Sequence, residues 1–150
     1  MTMTRLLIIL TMAITGLSAA GQTSLHMGGG ASTDNTPLLD LGARHRQGRV
    51  LVQAGYTSHL THYITHGTLF HASVGWTTRG KDSWVSPYAG YGMHFRSSDY
   101  PSMNYSAPLF GMLFAKRMKR DMVYLNAALH GGTAYVTVGI SATLRRDRSW

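Results

Sequence analysis

The 150-residue chain has no cysteine and no glutamate, and charged residues make up only 13% of it. Without cysteine no disulfide can brace the fold, so packing and backbone hydrogen bonds must hold it together. Without glutamate, carboxylate chemistry falls to Asp34, Asp40, Asp82, Asp99, Asp121 and Asp147. Five of these sit in predicted turns or the tail, and Asp40 sits in a predicted strand, where Arg44, two pleats along, is its expected partner. No apolar run reaches the ~20 residues of a spanning helix. Nor is there a glycine-rich phosphate loop in strand–helix context. The glycines at 28–30 and 131–132 read as strand and turn residues.

The first residues, MTMTRLLIILTMAITGLSAAGQ, set Arg5 before an apolar run from Leu6 to about Gly16, followed by Ser18-Ala19-Ala20. This is the order of a secretory signal peptide. The expected division is a signal peptide over 1–20, cleaved after Ala20 or Gly21, and one domain over 21–150.

That domain alternates with period 2. From Ala134 to Leu144 the even positions are Ala, Val, Val, Ile, Ala and Leu, and the odd ones Tyr, Thr, Gly, Ser and Thr. Strict alternation marks a strand with two different faces. RVLVQAGYT, GTLFHASVGWT and VSPYAGYGMHF repeat the pattern; MVYLNAALH, LLDLGAR and SLHMGGGAS carry it more weakly. NYSAPLFGMLFAKR is apolar on both faces, which leaves its phase open. Breaker clusters such as DNTP, RQGR, RGKDS, RSSDYPS, KRD and HGG separate these segments. The expectation is an all-β, antiparallel, up-and-down barrel of about eight strands.

Two faces have two possible meanings. A soluble barrel buries its apolar face and shows a charged one to water, whereas a membrane barrel turns the apolar face to lipid. Here the polar face is Gly, Ser, Thr, Tyr, Gln, Asn and His, with almost no lysine, and small neutral residues suit a narrow lumen. The basic residues give an independent sign. After Arg5 they cluster at Arg44/Arg46/Arg49, Arg79/Lys81, Lys116/Arg117/Lys119/Arg120 and Arg145/Arg146/Arg148, with Arg96 alone outside. In an up-and-down order every cluster falls at one end, the end holding both termini. A chain whose strands cross hydrocarbon must keep such charges out of its spans.

On these features the chain resembles the small bacterial outer-membrane β-barrels of the eight-stranded OmpX/OmpA-transmembrane type. The assembly signal of that family, in the last strand, is matched by Thr137, Gly139, Ala142 and Leu144, and the chain ends in an aromatic, Trp150. The resemblance implies outer-membrane localisation with periplasmic termini. It also implies outer-membrane lipid as surroundings, and recognition of the C-terminal strand by the barrel assembly machinery. Family members often carry basic residues on the cell-surface side; the opposite bias here argues against lipopolysaccharide binding.

Candidate sites are few. SHLTHYITHGTLFH holds His59, His62, His66 and His71. On a helix, His59, His62 and His66 would stack as zinc ligands do. In the loop between strands 3 and 4 that stacking is lost, and no acid is near to orient an imidazole. His71 and Ser73 resemble part of the active-site motif of the outer-membrane lipid A deacylase. That family uses a glutamate, absent here, and its pair faces the membrane, whereas alternation turns His71 and Ser73 inward. The expected function is an integral outer-membrane barrel with a structural, surface-interaction or envelope-accessory role. No catalysis, cofactor, metal or nucleic-acid partner is expected. The alternatives are a lipid A-modifying hydrolase using His71 and Ser73, or a soluble lipocalin-like carrier of an apolar ligand.

Overall fold

The computed structural model describes residues 21–60, 67–78, 80, 82–95, 104–119 and 121–144. The segment expected to be a signal peptide, His62, His66 and the tail from 145 lie outside them. Eight strands follow one another: β1 (Gln22–Ser32), β2 (Pro37–Gln47), β3 (Val50–His59), β4 (Thr68–Trp76), β5 (Ser83–Phe95), β6 (Tyr105–Met118), β7 (Asp121–His130) and β8 (Thr133–Leu144). Each pairs antiparallel with the next, and β8 returns to β1, closing an eight-stranded up-and-down barrel.

The turns explain the hairpins. Between β7 and β8, Gly131 and Gly132 both take positive φ, as a two-residue primed turn requires. Gly48 and Lys119 take positive φ in the β2–β3 and β6–β7 turns. Between β1 and β2, Asn35 is left-handed and Ser32 donates its hydroxyl to Asp34. That bond holds the Asp34 carboxyl below the usual carboxylate range.

Alternation sorts the side chains as the sequence predicts. Leu25, Met27, Phe70, Val74, Trp76, Tyr91, Val136, Val138 and Ile140 point outward and are exposed. Ser24, His26, Gln53, Thr57, Ser73, Ser86, Thr137 and Ser141 point inward and are buried. The open phase of β6 is settled: Leu109, Leu113 and Ala115 face in, and Phe110, Met112 and Phe114 face out. A water-soluble domain has the reverse arrangement.

Two expectations are corrected. The lumen is not lined only by Gly, Ser, Thr, Tyr, Gln, Asn and His, because leucines and a tryptophan join the expected tyrosines there. Leu51, Trp84, Tyr88, Leu109, Leu113 and Tyr124 form an apolar cluster inside it, and Leu38, Leu69 and Tyr135 form another. In a narrow barrel the interior is a packed core, and packing needs bulk as well as polarity. Arg44 does not belong to the basic end either. It is 4% exposed inside the lumen, because its parity along β2 is that of Asp40. The described basic residues at the terminal end are Arg46, Arg49, Lys116, Arg117 and Lys119, and of these all but Arg46 are exposed.

Candidate functional site in the barrel lumen

A polar network occupies the middle of the lumen. Asp40 of β2 accepts hydrogen bonds from Thr57 Oγ1 at 3.2 Å and from Tyr124 Oη at 3.0 Å. His26 Nε2 lies 3.7 Å from Asp40 Oδ2, the oxygen that also accepts from Tyr124. Arg44, the expected partner of Asp40, forms no direct ion pair with it among the described residues. Its Nε donates to Gln53 Oε1 at 3.3 Å, and its guanidinium lies 4.0 Å from the centre of the Tyr124 ring. Tyr124 thus stands between the two charges, receiving the cation on its π-face and donating a hydrogen bond to the carboxylate.

The rings fit because glycines face them. Tyr124, Gly139, Gly28, Asp40 and Thr57 share one register row across β7, β8, β1, β2 and β3. A Cβ at Gly28 or Gly139 would meet the Tyr124 hydroxyl. The same device recurs where His71 pairs with Gly55, Tyr88 with Gly111 and His26 with Gly42, each ring occupying the space a Cβ would take. Sequence alternation placed Gly42, Gly55 and Gly139 on the polar face without revealing what they do, and it left Gly28 and Gly111 unassigned. The legible signal would have been a lumen glycine one strand away from a lumen ring.

Nearer the far mouth lies a cluster that the sequence reading did not assemble. His94 stacks on Tyr105 at 5.0 Å, and Tyr105 on His130 at 5.3 Å. His59 meets His94 and Tyr135 edge-on at 5.7 and 6.3 Å. His59 Nδ1 contacts the carbonyl of Gly67 at 2.6 Å, and His130 Nε2 that of Gly92 at 3.2 Å. His59, His94 and His130 are thus engaged in ring contacts, and His59 and His130 in backbone contacts as well. Among the described residues no group of three or more His, Asp, Glu or Cys is arranged to hold a metal ion. His62 and His66 of the considered metal set lie outside the described residues.

His71 and Ser73 face inward, as expected. They are two residues apart on one face, roughly 7 Å along the strand. Buried Ser73 Oγ has no hydrogen-bond partner among the described residues. Asp40 in the lumen accepts from Thr57 and Tyr124 and lies 3.7 Å from His26 Nε2. Voids between described residues measure about 20 Å³ beside His71, Thr57 and Thr137 and about 10 Å³ beside Arg44 and Trp84. Each is on the scale of bound water and too small for an organic ligand.

No protein-family model matches the sequence, and no curated protein matches it. Solved structures do. The chain is similar to the N-terminal β-barrel domain of Pseudomonas aeruginosa OprF, with a TM-score of 0.67 at 10% identity over 83% of this chain and 98% of that one. It is similar to the Yersinia pestis outer membrane protein Ail, with a TM-score of 0.56 at 11% identity over 83% of this chain and 99% of that one. A de novo designed transmembrane β-barrel matches with a TM-score of 0.60 at 16% identity, over 85% of this chain and 98% of the design. At such identities the likeness is one of architecture, and it agrees with the closed topology and the outward apolar face. The chain has the fold of the small eight-stranded outer-membrane β-barrels.

Proposed function

We propose that the protein is an integral outer-membrane barrel with a structural or envelope-accessory role, performing no catalysis and conducting no solutes. The observation that carries this reading is the inverted surface. Val136, Val138 and Ile140 of β8 are each about half exposed (48%, 53% and 55%), while the intervening Tyr135, Thr137 and Ser141 are buried. Water would penalise that outer belt by ~25 cal/mol for each Å² of apolar surface, whereas hydrocarbon does not. A lipocalin-like carrier needs the opposite surface and a roomy apolar interior, and this lumen is packed with Tyr, Trp, Leu and a hydrogen-bonded aspartate. The inward placement of Ser73, on the lumen side of the wall from the outer apolar belt, supports the non-catalytic reading. The basic end and the termini would face the periplasm, with the assembly machinery engaging β8.

The test is fractionation and gel mobility together. The mature chain is expected to remain with outer membranes through carbonate or high-salt extraction. It is expected to migrate faster on gels unheated than boiled, as a folded barrel that resists detergent. Recovery as a soluble periplasmic protein would overturn the reading.

A further inference from the structure

The outward faces of β5 to β8 form an open groove of about 460 Å³ near the terminal end. Its floor is a register row: Val85 pairs with Phe114, Phe114 with Leu125, and Leu125 with Val138. One pleat nearer the terminal end, Lys116 is paired with Ser83 on one side and Val123 on the other, on the same outward parity as Phe114. Lys116 is exposed, lines the groove, and forms no ion pair among the described residues. Beside it Arg117 and Lys119 are exposed at the rim. The described acids at this end are Asp82, whose backbone carbonyl accepts from Arg117 N, and Asp121, paired with Met118 across the turn.

An apolar trough that ends at an ammonium group suits a molecule with a hydrocarbon tail and an anionic head. We propose that this groove is a binding site for an anionic glycerophospholipid, an acyl chain lying over Phe114 and Leu125 and the phosphate meeting Lys116. The inference rests on the membrane reading above. The ammonium lies within the charged rim, where the field of a phosphate is only partly screened and an ion pair at the lipid–water boundary retains its strength. Lys119, on the turn and outside the groove, supplies only diffuse attraction.

The barrel refolded into vesicles of equal phosphatidylglycerol and phosphatidylcholine, then released in mild detergent, allows retained lipids to be counted by native mass spectrometry. Wild type is expected to retain phosphatidylglycerol over phosphatidylcholine by about fivefold. Lys116→Gln is expected to bring the ratio near unity. Lys116→Arg and Lys119→Gln are expected to keep most of it. Equal retention of both lipids by wild type, or an equal loss in Lys116→Gln and Lys119→Gln, would overturn the site. Heat-modifiable mobility of each variant separates the outcomes. A barrel that inserts without lipid preference refutes the site alone, and a chain that never inserts refutes the membrane reading with it.

Discussion

Tyr124 reaches Asp40 across two glycines. Its hydroxyl stops 3.0 Å from Asp40 Oδ2, and the strands between them contribute Gly139 and Gly28 on the same register row. A carboxylate in a lumen without bulk water needs every partner it has. Tyr124→Phe removes the donor and keeps the ring under Arg44. The expected cost is about 1–3 kcal/mol, read as a lower urea midpoint for the barrel in vesicles. An unchanged midpoint would mean that Thr57 and His26 suffice for Asp40.

The pairing of rings with glycines predicts a rescue. A Cβ at Gly55 would lie 2.7 Å from His71 Nε2 and 2.8 Å from His71 Cε1, with the Leu41 carbonyl next at 3.1 Å. Gly55→Ala is expected to destabilise by about 1–3 kcal/mol through overpacking. In a His71→Ala background the same change is expected to cost less by at least about 0.5 kcal/mol, a coupling that a double-mutant cycle measures. Additive costs would show that the glycine is needed by the backbone and not by the ring.

The two faces of β8 give a contrasting pair. Val138 is 53% exposed on the outer belt, and Thr137 beside it is 2% exposed in the lumen. Val138→Arg is expected to destabilise the inserted barrel by ~2–4 kcal/mol, seen as loss of the fast-migrating unheated band. Thr137→Ser, which keeps the hydroxyl and removes a methyl, is expected to leave that band in place. Equal tolerance of both would reverse the assignment of faces.

For Ser73 the expected effect is none. Its Oγ is buried in the lumen without a hydrogen-bond partner among the described residues, and acyl chains lie on the other side of the wall. Ser73→Ala is expected to leave the lipid A mass spectrum of the producing cell unchanged. Loss of a deacylated species would place His71 and Ser73 at the centre of the function.

The fold was legible because a barrel wall writes its period into the sequence. Once Leu25, Phe70 and Val138 were assigned outward, each strand's other residues followed by parity. β6 resisted because Leu109 and Leu113 plug the lumen while Phe110 and Phe114 meet the outside, so neither face stands out in hydropathy. The lumen network was not legible, because its partners meet across strands: Asp40 and Tyr124 are 84 residues apart. Spacing along β2 suggested Arg44 as the partner of Asp40. Residues four apart on a strand share a face, yet they lie roughly 13 Å from each other along it, and neighbours from β3 and β7 are nearer. The stack of His94, Tyr105 and His130 was hidden for the same reason, since it joins β5, β6 and β7 at one mouth.

The pairing of β1 with β8 also governs how the chain can fold. Gln22 Nε2 donates to Thr143 Oγ1 at 3.0 Å, a contact between residues 121 apart. Every hairpin before it is local, but none of them buries the central network, because Gly28 and Gly139 meet only when the seam is sewn. Until β8 has been made, β1 and β7 are open edges able to pair with another chain. Of all the strand pairings in the barrel, this seam joins the residues furthest apart in sequence and so carries the largest loop-closure entropy.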